Sequence, residues 1–461
     1  MRHGGFRAIV ADMAARIRRG ELPPGARLPA ERTLATRLGV NRSTVTTAYA
    51  ELWSLGLVDR RQGQGTTVRG DLWGVAPDWP RHIADGAFEP TRPLVQRIRA
   101  ARALPGIIDL SEGTVSDDLQ PRALVRRILH GLDEHTPLGY PDALGDASLR
   151  EVIAATMRRT QGVAVDSDAV LVTAGSQQAL YLVAQALLRP GDAIAIEQPS
   201  YYYALPLFRS AGVRLLPLPV DEEGLDPGAL RALAHRQGLR LVVTNPTYQN
   251  PTATTLPLAR REQLLAECRA LNLPVVEDNA YGDLAFAGPA PPTLKALDHD
   301  GRVLYIGTLS KTGGAGLRLG WITGPKPVID RLADVKGQID FGTDVIVQRM
   351  AADLLASTEW ADHLRDLRLA LRARRDMAAA ALMAAPGRAV AFRVPPGGLH
   401  LWLRWTGPGD DRQRLDSAIR AGVIIAPGRL YGATDGYIRL TYARASPDTL
   451  IEGIRRLTSV W

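Results

Sequence analysis

Between residues 170 and 306, five short apolar runs (170–173, 193–196, 241–244, 275–278 and 303–306) alternate with stretches of helical period. Such alternation is the pattern of a mostly parallel sheet with helices on both faces. In an open sheet of this kind, ligands lie beyond the carboxyl ends of the strands. The polar residues of interest in this chain all follow those ends.

The richest of these ends follows the run 303–306. It reads Thr308-Leu309-Ser310-Lys311-Thr312-Gly313-Gly314-Ala315-Gly316-Leu317-Arg318-Leu319-Gly320-Trp321. A loop rich in glycine and hydroxyls brings backbone N–H groups close to an anion. A lysine there, flanked by Thr308, Ser310 and Arg318, is placed to form a Schiff base beside a bound phosphate. The cofactor that needs both features is pyridoxal 5′-phosphate (PLP). The competing reading of this window alone is a surface lysine and arginine on a glycine-rich loop.

At 461 residues the chain has room for two to four domains of about 100–200 residues each. With 46% hydrophobic and 23% charged residues it is of ordinary globular composition. No apolar run approaches the ~20 residues of a membrane span, and the N-terminus does not read as a signal peptide. A single cysteine, Cys268, excludes an internal disulfide and suits a reducing cytoplasm.

Charge is placed unevenly. Residues 1–70 hold twelve arginines and five acids, a surplus of seven in a chain whose total is +8. A basic head on a near-neutral body implies an anionic polymer as the partner of the head. Phe6, Ile9, Val10, Met13 and Ile17 fall at helical spacing. A short second helix is expected over 30–38, and a turn at Gly39-Val40-Asn41 with Asn41 or Ser43 as cap. A third helix carries Val45, Ala48, Tyr49 and Leu52. Two short strands around Gln62-Gly63-Gln64-Gly65 complete a helix-turn-helix with a β-hairpin wing. Residues 71–105 read as a connector in which Trp73 and Trp79 dock on some surface, and Arg92, Arg97, Arg99 and Arg102 form a solvated face.

The head resembles the GntR family of bacterial winged-helix regulators. The segments that carry this are Gly20-Glu21-Leu22-Pro23-Pro24-Gly25-Ala26-Arg27-Leu28-Pro29-Ala30-Glu31-Arg32, Leu38-Gly39-Val40-Asn41-Arg42-Ser43-Thr44-Val45, and Gly63-Gln64-Gly65-Thr66. The resemblance implies that double-stranded DNA is bound by Arg32, Arg42, Ser43 and Thr44 in the major groove, with Gly63 and Gly65 at the wing. Thr46 departs from members that carry a second arginine there.

The rest of the chain, 106–461, resembles the fold type I aminotransferases, through the loops Ala174-Gly175-Ser176-Gln177, Glu197-Gln198-Pro199-Ser200-Tyr201, Asn245 to Thr252, Asp278-Asn279-Ala280-Tyr281 and the Lys311 loop. It implies a large subdomain over 106–330 and a small α+β subdomain over 331–461. By this resemblance Ser176, Gln177, Thr308, Ser310 and Arg318 lie at the PLP phosphate. Tyr201 stacks on the ring, and Asn250 and Tyr281 reach O3′. Asp278 pairs with the protonated pyridine nitrogen, which offsets the cost of burying its charge. Lys311 carries the cofactor as an internal aldimine. Tyr140 reaches the phosphate of a partner subunit, which makes a homodimer, and Arg439 clamps an α-carboxylate. Two positions depart from the family: Ala253, where glycine is usual, and Ala315, where proline is usual.

A GntR-type head on such a body is the layout of the MocR-type regulators. That implies a cytoplasmic, PLP-dependent transcription factor that senses PLP or an amino compound. The alternative is a working aminotransferase that carries a DNA-binding head.

Overall fold

The computed structural model describes residues 5–61, 65–70, 86, 88, 91–132, 139–385 and 390–461. Gly63, Trp73 and Trp79 lie outside the described residues. The chain divides into two compact units, Met1–Pro90 and Thr91–Trp461.

The first unit contains α1 (Phe6–Arg18), α2 (Glu31–Leu38) and α3 (Arg42–Ser54), followed by the antiparallel pair β1 (Val58–Arg61) and β2 (Gly65–Val68). Ile9, Met13 and Ile17 repeat on one face of α1 and are buried against Leu34, Val45, Tyr49 and Leu52. This is the helical period of the sequence turned into a core. Tyr49 also satisfies its hydroxyl by donating to Pro29 O at 2.8 Å. One expectation needs correcting: Asn41 stands at the N-cap of α3, but neither it nor Ser43, which lies inside the helix, supplies a side-chain cap.

The second unit is built on an eight-stranded sheet. A short strand β3 (Ile108–Asp109) comes first in the chain and lies apart from it. The sheet holds β4 (Val170–Thr173), β5 (Ala193–Gln198), β6 (Arg214–Asp221), β7 (Gly224–Leu225), β8 (Leu239–Thr244), β9 (Val275–Asp278), β10 (Val303–Thr308) and β11 (Gly320–Thr323). Their order is β4-β11-β10-β9-β8-β5-β6-β7. The pairs among β5, β6, β8, β9 and β10 are parallel, as expected. The strand β11 runs antiparallel between β4 and β10. The loop after β10 therefore closes a hairpin, and its two ends are pinned in the sheet. Trp321 of β11 lies against Gly307, where an added Cβ would come within 2.3 Å of the indole ring.

Alternate residues of the strands feed cores on the two faces of the sheet. Leu171, Ile194, Ile196 and Ile306 pack with the helices Ser176–Leu187 and Lys326–Gly337. Val170, Val172 and Tyr305 face the other way, with Ala147–Gln161 and Val345–Ala356.

The smaller part has β12 (Val390–Phe392), β13 (His400–Trp405), β14 (Val423–Ile424), β15 (Ala426–Pro427) and β16 (Tyr437–Thr441). Its sheet runs β12-β13-β16-β15, while β14 pairs in parallel with β3. Two expected boundaries shift. The helix Pro93–Ala101, inside the expected connector, buries Ile98 and Ala101 in one core with Ile108, Leu401 and Leu440. Its apolar face needs that cover, so it packs with the second unit. Conversely, Lys326–Gly337 and Val345–Ala356 bury their apolar stripes on the large sheet, so the small part starts later than residue 331. The connector arginines are also engaged: Arg92 donates to Tyr203 O at 2.7 Å, and Arg102 to Asp109 at 2.8 Å.

Among the described residues no helix is long and apolar enough to cross a membrane. Cys268 is buried in a helix, and burial pushes its thiol up to about 12.

Candidate functional site

The carboxyl ends of β4, β5, β8, β9 and β10 open onto one cavity of about 250 Å³. Its wall contains Ser176, Gln177, Tyr201, Asn250, Asp278, Tyr281, Ser310, Lys311, Arg318 and Arg439. Two expected residues are not in that wall. Thr308 is turned into the loop, where its Oγ1 bonds Leu319 O at 2.9 Å and accepts the Ser310 N–H at 3.1 Å. Tyr140 is 88% exposed and leans on Phe341, with ring centroids 5.5 Å apart.

Parallel pairing sets Asp278 of β9 beside Ile306 of β10, and so brings the carboxylate near Lys311, a few residues further on. Burial pushes the Asp278 carboxyl up to about 6, with a partial offset from Lys311. The carboxylate accepts the Ala280 N–H at 3.2 Å, and among the described residues it has no ion pair. The fully buried Tyr202 faces it, but the phenol has no hydrogen bond of good geometry. A buried carboxylate left like this is costly unless a cation meets it.

Lys311 donates from Nζ to Gly113 O at 2.8 Å. The residue's surface is partly open to the cavity, while its ammonium end is enclosed. That enclosure first, and the Arg439 charge second, lower its pKa to about 8. Tyr281 and Asn250 form a pair, Nδ2 donating to Oη at 3.1 Å. Arg439 donates to Asn250 Oδ1 at 2.8 Å and also to Ser111 O. A fixed guanidinium from β16 therefore lines the same cavity as Lys311.

Ser176 and Gln177 open the helix Ser176–Leu187, whose first N–H groups have no intrahelical partner. Gly175 precedes them at φ +86°, and a Cβ there would lie 2.8 Å from Arg318 Nη2. Only glycine lets that guanidinium approach. Arg318 itself is left-handed, at φ 48°, and is held by the carbonyls of Ala174 and Ala315 at 3.0 and 3.1 Å. Ala253 is likewise left-handed, at φ 59°, which accounts for the glycine usual at that position.

In the first unit, Arg32, Arg42 and Ser43 are exposed on the starts of α2 and α3, and Thr44 is half-buried. Gly65 opens β2 at φ +88°, with the Arg27 guanidinium against its open side.

The family profile of aminotransferase class I and II matches residues 105–457, and that of the bacterial regulatory proteins of the gntR family matches residues 7–68. The HTH-type transcriptional regulator YdfD of Bacillus subtilis is 37% identical, over 98% of this chain and 95% of its own. TauR of Rhodobacter capsulatus, also an HTH-type transcriptional regulator, is 32% identical, over 95% of this chain and 92% of its own. The chain belongs to the MocR-type regulators. The crystal structure of Pyrococcus horikoshii kynurenine aminotransferase with PMP has a TM-score of 0.78 at 29% identity, covering 83% of this chain and 97% of that one.

This regulator is a DNA-binding protein whose second unit has the PLP-dependent aminotransferase fold. The site's chemistry fits that cofactor: an unpaired buried carboxylate, a low-pKa lysine, and an anion cradle at a helix start. Sequence reasoning passed over Glu197 and Asn245. Glu197, fully buried at the end of β5, accepts from Gln249 at 3.1 Å and from the Asn245 N–H. Burial pushes it up to about 7. Asn245 donates to Asp278 O at 2.6 Å and accepts the Asn250 N–H at 2.9 Å. An acid at the end of a strand-like run was the available signal for Glu197, the same one that marked Asp278.

The lysine pKa yields a pH prediction. The rate at which cofactor-free protein takes up PLP should rise through about pH 8, where Lys311 loses its proton, and level off above it. Stopped-flow absorbance measures this. A rise delayed toward the ordinary lysine value of about 10.4 would mean that the amine is solvated.

Proposed function

We propose that this regulator senses an amino compound through the Lys311 cavity and converts its binding into a change at the DNA-binding unit. The observation that carries this reading is one cavity holding Lys311, Asp278 and Arg439, in a chain that begins with a winged helix. Ser176, Gln177, Ser310 and Arg318 would hold the cofactor phosphate, with Thr308 fixing the loop behind them. Asp278 would pair with the ring nitrogen, Asn250 and Tyr281 would hydrogen-bond O3′, and Tyr201 would cover the ring. Bound PLP supplies an electrophilic carbon for amines and an electron sink.

Lys311 binds it and gives or takes a proton at Nζ. Arg439 binds and orients the carboxylate of the amino compound, with Asn250 Oδ1 and Ser111 O holding its guanidinium until that guest arrives. Residue 111 follows β3, so a carboxylate that draws Arg439 away acts on the segment that joins both parts of the second unit.

The exposed Tyr140 supports a homodimer in which it serves the partner's phosphate site. Phe341, at 64% exposure, shares that face, and its segment is anchored by Asp340, which bonds Lys336 at 2.7 Å and Gln178 at 2.6 Å. The reading also places the protein in the cytoplasm with its DNA. A second reading, retained transamination, is favoured by the full set of Asn250, Asp278, Tyr281, Lys311 and Arg318 around one cavity.

The test screens amino acids and amines against PLP-loaded protein by visible absorbance, then measures DNA affinity with each hit. At least one hit should change both. Hits that are turned over with a 2-oxo acid, and that leave DNA affinity unchanged, would support the enzyme reading instead.

A further inference from the structure

In the first unit, three side chains from two elements, α3 and β1, converge on Glu31 of α2. Glu31 is the first residue of α2, and its side chain is only 20% exposed. Its Oε2 accepts from Thr46 Oγ1 at 2.8 Å and from Arg42 Nε at 3.4 Å, both on α3. Its Oε1 accepts from Arg60 Nη2 of β1 at 3.0 Å. The two arginines are more exposed, 59% and 35%. A carboxylate at a helix start is favoured by the unpaired N–H groups there, so Glu31 is a fixed point and the arginines are its dependants.

The bond from Arg42 runs through Nε. Among the described residues its two terminal nitrogens have no acceptor. That is the fork arginine uses to grip guanine in the major groove. Thr46 spends its hydroxyl on Glu31 and on Arg42 O at 3.1 Å.

We propose that Glu31 is the positioning residue for DNA reading: it aims Arg42 at a base edge and ties Arg60 of the wing strand to the same carboxylate. The proposal rests on reading Arg42 as a base contact. A negative charge close to a DNA-facing surface repels phosphate, so Glu31 weakens sequence-independent binding while it sharpens discrimination. A residue that merely stabilises the fold would raise both.

The experiment uses the full-length chain and a pool of random-sequence duplex DNA, sequenced before and after selection. Wild type, Arg42→Ala, Glu31→Gln and Thr46→Val are compared, together with each protein's affinity for bulk duplex. Arg42→Ala should flatten base preference at one operator position. Glu31→Gln, nearly isosteric, should flatten the same position by about fivefold or more, with bulk affinity equal to or above that of wild type. Thr46→Val should act in the same direction, less strongly. Unchanged preference in Glu31→Gln overturns the proposal, as does a parallel loss on selected and bulk DNA. If Arg42→Ala leaves every position unchanged, the base-contact reading of Arg42 fails, and this proposal fails with it. Should Glu31→Gln melt early, Thr46→Val alone decides by the same criterion.

Discussion

Asp278→Ala should lower PLP affinity by at least about 30-fold, because removing one partner of a buried charge pair costs ~2–5 kcal/mol. Asn250→Ala removes one hydrogen bond and should cost about tenfold or less. Equilibrium titration by absorbance reads both. Equal losses would mean that Asp278 does not face a cationic ring nitrogen.

The same substitution should act in the opposite sense on cofactor-free protein. In the fold the Asp278 carboxyl is raised to about 6 from an ordinary 3.8. Between those values the native state binds more protons than the unfolded one, so stability falls as pH rises through that window. At neutral pH the charged, buried Asp278 is a burden until its counter-charge arrives. Cofactor-free Asp278→Ala should therefore melt higher than cofactor-free wild type by roughly a few degrees, and saturating PLP should reverse the order. A variant less stable in both states would make Asp278 a structural residue.

The second large effect concerns the DNA. The fragment 1–90 should bind a selected duplex ~10²–10⁴-fold more weakly than the full chain, because in the proposed homodimer the second head's binding is intramolecular. The fragment is a fair comparison because it owns its core: Met13, Leu34, Val45, Tyr49 and Leu52 are at most 2% exposed. Fluorescence anisotropy with one and two half-sites measures the difference. Equal affinities would remove the body from DNA binding.

Much of this was legible in the sequence, for reasons tied to particular residues. The runs 170–173 and 275–278 are strands at those bounds, because apolar segments ending in polar residues have few other uses in a large core. Nine of the ten expected residues in the cavity meet there because parallel strands put their carboxyl ends on one edge, while Arg439 comes from β16 of the other sheet.

What the sequence hid depends on packing. The strand β11 is four residues directly after a loop, and only its neighbours β4 and β10 identify it. The helix Pro93–Ala101 has Ile98 and Ala101 on one side, but nothing in its sequence says which core covers them. Asn245 and Glu31 act through bonds to residues 33 and up to 29 positions away, separations that no local pattern reports. Thr308 has the right residue type in the right loop, but its hydroxyl is spent inside the hairpin on Leu319 O and on Ser310.

The central claim is that occupancy at Lys311 sets the affinity of the DNA-binding unit. The most direct measurement is the Kd of the full-length chain for a duplex selected from a random pool, without PLP and at saturating PLP, for wild type and Lys311→Ala. The account predicts a change of about fivefold or more in wild type, the lower range of allosteric coupling, and less than about twofold in Lys311→Ala. No change in wild type, or the same change in both proteins, would contradict it.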